Sequence, residues 1–217
     1  MIFGSISYLN LLPFKIFLKK YIKSTQLKQI IEYKKSIPSK INRDFKRKKI
    51  DAAFISSIKS RGCRCTNLGI VANGAVYSVL VLPQSESYDI ASETSNKLSK
   101  ILNIKGKVII GDKALSYYLK NSNSDFIDLS LEWKKKTNLP FVFARLCYNK
   151  NKKFLNKIEK KFKGKREKIP QYYLKKEALR KGISTKELKW YLQFINYKIS
   201  YKEKKSLKLF LKMVKES

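Results

Sequence analysis

Small polar residues stand where strand-like runs end or helix-like runs begin: Ser7 and Asn10, Ser56 and Ser57, Ser78, Thr94 and Ser95, and Asp112. In an open α/β sheet the crevice lies at the carboxyl ends of the strands, where helix N-termini aim N–H groups at an anion. Hydroxyls and an amide at such places suit a carboxylate ligand. Each alone is equally an ordinary helix cap or turn residue. Ser78 stands apart, because a hydroxyl inside an apolar strand needs a partner, and a ligand would serve. Histidine is absent, which excludes an imidazole base, a Ser-His or Cys-His nucleophile and a His-ligated metal. No P-loop, dinucleotide fingerprint or paired-carboxylate signature is present, so neither a cofactor nor a metal is expected. Cys63, Cys65 and Cys147 are too few for a zinc site without histidine, and the odd count reads as reduced, cytoplasmic thiols.

These residues must be positioned by elements that the pattern outlines. Ile2 to Tyr8 reads as a strand, and Asn10 to Tyr21, with Pro13 near its start, as a helix. Gln29 to Tyr33 reads as a second strand. Ile37, Ile41 and Phe45 form one stripe of a helix opened by Pro38, with Lys40, Arg43, Lys46 and Arg47 opposite. Asp51 to Ser56 completes a β-α-β-α-β unit, the signature of a parallel sheet covered by helices. The uncharged run from Cys65 to Ser85 carries Gly69, Gly74 and Pro83 and a β-branched Val76 to Leu82, so it reads as a buried strand after a turn rather than a membrane span. Pro83 to Asp89 reads as the crossover into a smaller second lobe. That lobe holds a capped helix from Ser92, a strand at Lys107 to Asp112, a helix at Ala114 to Leu119, and a half-buried Trp133 on another helix. Pro140 to Ala144 is a strand that returns to the first lobe. The expected division is therefore 1–83 with 141–217, and 84–140. The remainder is helical and basic, with a capping box at Ser184 to Glu187 and an apolar face of Leu188, Tyr191, Leu192 and Ile195.

Lys and Arg number 49 against 16 Asp and Glu, a formal charge of +33 on 217 residues, yet the chain is 43% hydrophobic and 12% aromatic and should fold. Clustered cations would be the footprint of a nucleic-acid binder, and dispersed ones a solvated surface. Seven of the 49 are Arg, whereas phosphate and base recognition favours the arginine fork. With a profile rich in Ile and Asn, the excess reads as a lysine-biased surface whose field steers anionic substrates. Met1 to Phe14 is uncharged, so the basic start of an export signal is missing and a cytoplasmic location is expected.

Several motifs occur in one order: Ser7-Tyr-Leu-Asn10 with Pro13, Pro38-Ser39 before Ile50-Asp51, Gly74-x-Val76-x-Ser78-Val79, Thr94-Ser95, Ile110-Gly-Asp112-x-Ala114-Leu115, Asp128-Leu129-x-x-x-Trp133, and Leu139-Pro-Phe-Val-Phe-Ala144. In these the chain resembles the chorismate dehydratases of the futalosine route to menaquinone, over roughly residues 2 to 148. The resemblance implies a two-lobed α/β fold of the periplasmic-binding-protein type II, with a central cleft and a helical C-terminal tail, used inside the cell as an enzyme. It implies the loss of water from chorismate to give 3-[(1-carboxyvinyl)oxy]benzoate, with the substrate's own enolpyruvyl carboxylate as base. By match, Asn10 and Ser78 hold substrate at the reacting centre, and Ser7, Ser56, Thr94, Ser95 and Asp112 are expected as substrate-binding neighbours. The expected partner is chorismate, without nucleic acid or membrane. The second lobe is shortened between Leu102 and Val108 relative to longer members. The alternatives are the sister 1,4-dihydroxy-6-naphthoate synthases, a solute receptor that would need an export signal, and a basic nucleic-acid-binding protein.

Overall fold

The computed structural model describes residues 1–22, 34–121 and 125–216, as a mixed α/β chain with two sheets. Strand β1 (Phe3–Ser5) leads through a 3-10 turn (Leu9–Leu11) into α1 (Leu12–Tyr21), where Pro13 sits in the first turn and its missing N–H costs nothing. Then come β2 (Lys34–Lys35), α2 (Pro38–Lys46), β3 (Ala52–Ser56) and β4 (Cys65–Ala72). β1 pairs in parallel with both β2 and β3, as the β-α-β-α-β pattern requires. The strand expected at Gln29 to Tyr33 lies outside the described residues. α2 buries Ile41 and Phe45 and turns Arg43 and Lys46 to solvent, but Ile37, read as the start of that stripe, is the N-cap and is 53% exposed.

The chain then builds a second sheet. Strand β5 (Val79–Leu82), α3 (Glu93–Ile101), β6 (Lys107–Ile110), α4 (Gly111–Lys120), β7 (Ile127–Asp128) and α5 (Leu129–Thr137) follow in order. The sheet order is β6-β5-β7, antiparallel throughout. The uncharged run is thus two strands around a turn, and no helix among the described residues is long and apolar enough to cross a membrane. Since β5 bonds to β6 and β7, the crossing between sheets falls before Val79, ahead of the expected boundary at residue 83. Val79 to Leu82 is uniformly apolar, so nothing local says which sheet it joins.

Strand β8 (Phe141–Tyr148) returns to the first sheet, followed by α6 (Lys152–Lys161), a 3-10 turn (Gly164–Arg166), α7 (Gln171–Lys181), α8 (Thr185–Leu192), β9 (Asn196–Lys198) and α9 (Tyr201–Glu216). The first sheet runs β2-β1-β3-β8-β4-β9, parallel on one side and antiparallel on the other. The C-terminal helices are therefore more than a tail, because β9 edges the sheet and α9 packs on β8 and α3 and meets Trp133 of α5. Trp133 is fully buried rather than half-buried: its indole N–H donates to Ser206 Oγ (2.9 Å) and its ring meets Phe141 and Phe210. The capping box at Ser184 and Glu187 forms, with Leu188, Tyr191, Leu192 and Ile195 buried beneath it. The cysteines differ from the expectation of three thiols. The β4/β8 register sets Cys65 opposite Cys147, and the two form a disulfide, leaving Cys63 free.

Candidate active site

Residues of both sheets meet around one narrow cavity, with room of about 80 Å³ for the centre of a water molecule. The first sheet contributes Phe54 and Ser56 from β3, Ile70 from β4, and Phe143 and Ala144 from β8; the second contributes Val79 and Ile110. Four helices begin at its wall: α1 after Asn10 and Leu11, α2 at Pro38, α3 after Ser92, and α4 after Ile110. Each start carries about half a positive charge from the aligned peptide dipoles. Among the described lining residues there is no Lys, Arg, Asp or Glu, so positive potential at this wall comes from backbone ends. Tyr8 is the one titratable lining side chain described. Burial, reinforced by the carboxylates of Asp89 and Asp112, pushes its phenol well above the usual range, which keeps it protonated as a donor.

Asn10 sits on the 3-10 turn, with a buried Oδ1 that has no hydrogen-bond partner among the described residues. Its turn is fastened from two sides. Leu9 N–H donates to Asp112 Oδ1 (2.9 Å), and Tyr197 OH donates to the Asn10 carbonyl (2.6 Å). Asp112 Oδ2 in turn forms an ion pair with Lys181 (2.7 Å) but no hydrogen bond among the described residues, and Asp112 does not line the cavity. A turn held this firmly, with a buried amide oxygen left unsatisfied, is ready for a ligand, since a buried unpaired polar atom otherwise costs about 1–3 kcal/mol.

Ser78 is 2% exposed and lines the cavity directly before β5. Tyr191 OH donates to its Oγ (3.0 Å), which leaves the serine proton to donate elsewhere. The segment entering β5 is pinned by Asp128, whose Oδ2 accepts from Val76 N–H (2.8 Å) and Tyr77 N–H (2.7 Å) while its Oδ1 caps α5. Tyr77 takes a left-handed φ of 59° and is held there by the rings of Tyr118, Trp190 and Phe194.

Of the remaining expected residues, Ser56 and Ser95 line the cavity. Ser56 is tied to α2, accepting from Asn42 Nδ2 (2.9 Å) and donating its N–H to Asn42 Oδ1 (3.1 Å). Ser95 N–H donates to the cap Ser92 Oγ (3.1 Å). Thr94 is buried, accepting from Ile58 N–H (3.4 Å), and Thr94 and Asp112 are not among the cavity-lining residues. Ser7 lines a neighbouring cavity instead. Sequence reasoning passed over Tyr8, Ser92, Asp128, Lys181 and Tyr191. Tyr8, Ser92 and Asp128 stood inside motifs already singled out and Tyr191 on an apolar helix face, but what each of the last two binds, and Lys181 altogether, comes only from the fold.

Residues 96–216 match a family model described as menaquinone biosynthesis. A chorismate dehydratase of Campylobacter jejuni subsp. jejuni is 49% identical over 219 residues, covering 99% of this chain and 98% of its own. Among solved structures, a protein from Archaeoglobus fulgidus superposes with a TM-score of 0.71 at 11% identity, covering 99% of this chain and 96% of that one. The ligand-binding component of an ABC-type import system from Staphylococcus aureus, with zinc bound, has a TM-score of 0.47 at 11% identity, covering 100% and 91%. The chain belongs to the chorismate dehydratase family of menaquinone biosynthesis.

Proposed function

We propose that this protein is a hydro-lyase that removes water from chorismate to give 3-[(1-carboxyvinyl)oxy]benzoate. The observation that carries the reading is the near end-to-end match to a chorismate dehydratase. The cavity supplies a matching chemistry. A substrate with two carboxylates meets four helix starts, the Ser78 hydroxyl, the Asn10 amide and the Tyr8 phenol. In the reaction a base takes the C3 proton, the C3–H electron pair becomes part of the ring, and the C4 hydroxyl departs with a proton handed on from that base, as water. Aromatisation drives the step. No lining side chain described is a base at neutral pH, which fits transfer of that proton to the substrate's own enolpyruvyl carboxylate. The protein's part is then orientation and preorganised hydrogen bonding, which can supply large rate factors without a residue base.

In this reading Asn10 holds the reacting region and Ser78 one carboxylate. Ser56 and Ser95 are wall contacts, while Asp112 and Thr94 position the turn and loop that face substrate. The fold is the two-lobed periplasmic-binding type, with the cleft between the sheets as the site and the crossings near residues 73–78 and 138–140. The enzyme works in the cytoplasm on a small molecule, without nucleic acid or membrane.

Purified protein incubated with chorismate should generate the benzoate product, followed by its ultraviolet absorbance and mass. Asn10→Ala should retain the fold and lose at least tenfold in kcat. Absence of product beside an active control enzyme would remove the assignment, and unchanged turnover in Asn10→Ala would remove Asn10 from the reacting centre.

A further inference from the structure

Ile6, Leu11 and Phe54 wall not only the active-site cavity but a second one, with room of about 330 Å³ for water centres. Its polar lining includes Ser5, Ser7, Lys15, Lys35, Glu177 and Arg180. Lys15 projects from α1, a helix otherwise buried on this face by Leu12, Ile16 and Leu18. It makes no hydrogen bond or ion pair with any described residue. An ammonium partly withdrawn from water with no direct ion pair is costly, and burial, offset only in part by Glu177, pulls the Lys15 amine down to about 8.

The charges facing Lys15 do not repay that cost. Glu177 is taken by Arg180, whose Nε donates to its Oε2 (2.9 Å), and Asp112 is taken by Lys181 (2.7 Å). Arg180 and Lys35 repel it. The cavity wall therefore carries more cations than carboxylates around a half-buried amine, and Ser5 and Ser7 share that wall. An oxyanion is the ligand that would reverse each of these penalties at once.

We propose that this cavity is a second, non-catalytic binding site for a small molecule bearing an oxyanion, a phosphate or a carboxylate, seated on Lys15. It is separate from the chorismate cavity, shares only its apolar wall, and does not rest on the reaction assigned above.

The test is calorimetric titration of the whole protein, in chloride buffer at neutral pH, with inorganic phosphate and separately with succinate. The variants are Lys15→Met and, to control for the general positive charge, Lys150→Met on the surface. One of the two anions is expected to bind at millimolar concentration or tighter with one-to-one stoichiometry, which identifies the source. Its affinity should fall at least tenfold in Lys15→Met and stay unchanged in Lys150→Met. Equal loss in both variants, equal binding in wild type and Lys15→Met, or no binding of either anion at tens of millimolar would overturn the proposal. If Lys15→Met does not fold, amine labelling of wild-type Lys15, read by mass spectrometry, decides instead. The bound anion should slow labelling of Lys15 and not of Lys150, and no difference overturns the site.

Discussion

Ser78 accepts from Tyr191 and so keeps its own proton to give, which makes a phenol 113 residues away part of how a carboxylate would be held. Burial pushes the Tyr191 phenol up, so it stays a donor through the working range of pH. Tyr191→Phe preserves the ring's packing and removes only the hydroxyl. We expect kcat/KM to fall about tenfold, the worth of one hydrogen bond to a group that contacts charge. Ser78→Ala should fall further, and the double variant no further than Ser78→Ala, because the two act as one unit. Full additivity in that cycle would separate Tyr191 from Ser78. Lys15 gives a pH prediction. Its amine is lowered from 10.5 to about 8 in the folded state. Below about pH 8 both states carry the proton and the folded state bears the whole desolvation penalty. Between about 8 and 10.5 the unfolded state holds more protons, so stability rises with pH, and above that window the penalty is gone. Lys15→Met should therefore stabilise the protein at neutral pH, by at most about 3 kcal/mol at 1.36 kcal/mol per pK unit. The advantage over wild type should shrink towards pH 10.5. Urea melts in phosphate-free buffer at several pH values check it, and a pH-independent difference would contradict the burial of that amine.

At the scale of elements, the site depends on how closely helix starts approach the turn that bears Asn10. Gly111 opens α4 with φ of 67°, donates its N–H to the Ser78 carbonyl (2.7 Å), and lies under the Tyr8 ring. A Cβ there would stand 2.7 Å from the ring. Gly111→Ala would thus incur backbone strain of order 1 kcal/mol and also push Tyr8 away from the cavity. We expect a lower melting temperature together with a raised KM for chorismate. A KM unchanged despite the lower melting temperature would show that Tyr8 does not shape the site. The parts readable from the chain alone were local ones. The Ser92 cap, the Ser184 capping box and the α2 stripe of Ile41 and Phe45 each need only spacing and cap chemistry. What escaped was long-range. Leu9 with Asp112, Val76 with Asp128, and Cys65 with Cys147 lie 103, 52 and 82 residues apart, and periodicity does not say which strands will be neighbours. Asp112 shows the consequence for function. Its place after Gly111 made it a candidate ligand, while the fold turns its carboxylate to a backbone N–H and to Lys181.

At the scale of the whole molecule, +33 charges surround a cavity whose described lining carries none. Many of the described cations sit on exposed faces, such as Arg43 and Lys46 on α2 with Arg47 at its C-cap, and others on α6, α7 and α9. The charge therefore acts on an anionic substrate at a distance, through the summed field, rather than by contact. Such a field raises the encounter rate and local concentration of a dianion, and it is screened once the Debye length, about 10 Å at 0.1 M salt, falls below the separation. The bonds proposed to orient the bound substrate, from Ser78, Asn10 and the helix starts, would form inside a narrow cavity and be screened much less. Salt should therefore divide the kinetic constants. Between low and high sodium chloride, kcat should hold within about twofold while kcat/KM falls several-fold, because only the approach of substrate feels the screened field. Repeating the titration with choline chloride separates screening from specific effects of sodium, and both salts should superpose at equal ionic strength. A kcat/KM flat across that range would mean that the surface charge plays no part in substrate capture. A parallel loss of kcat would instead place a screened cation within reach of the reacting atoms.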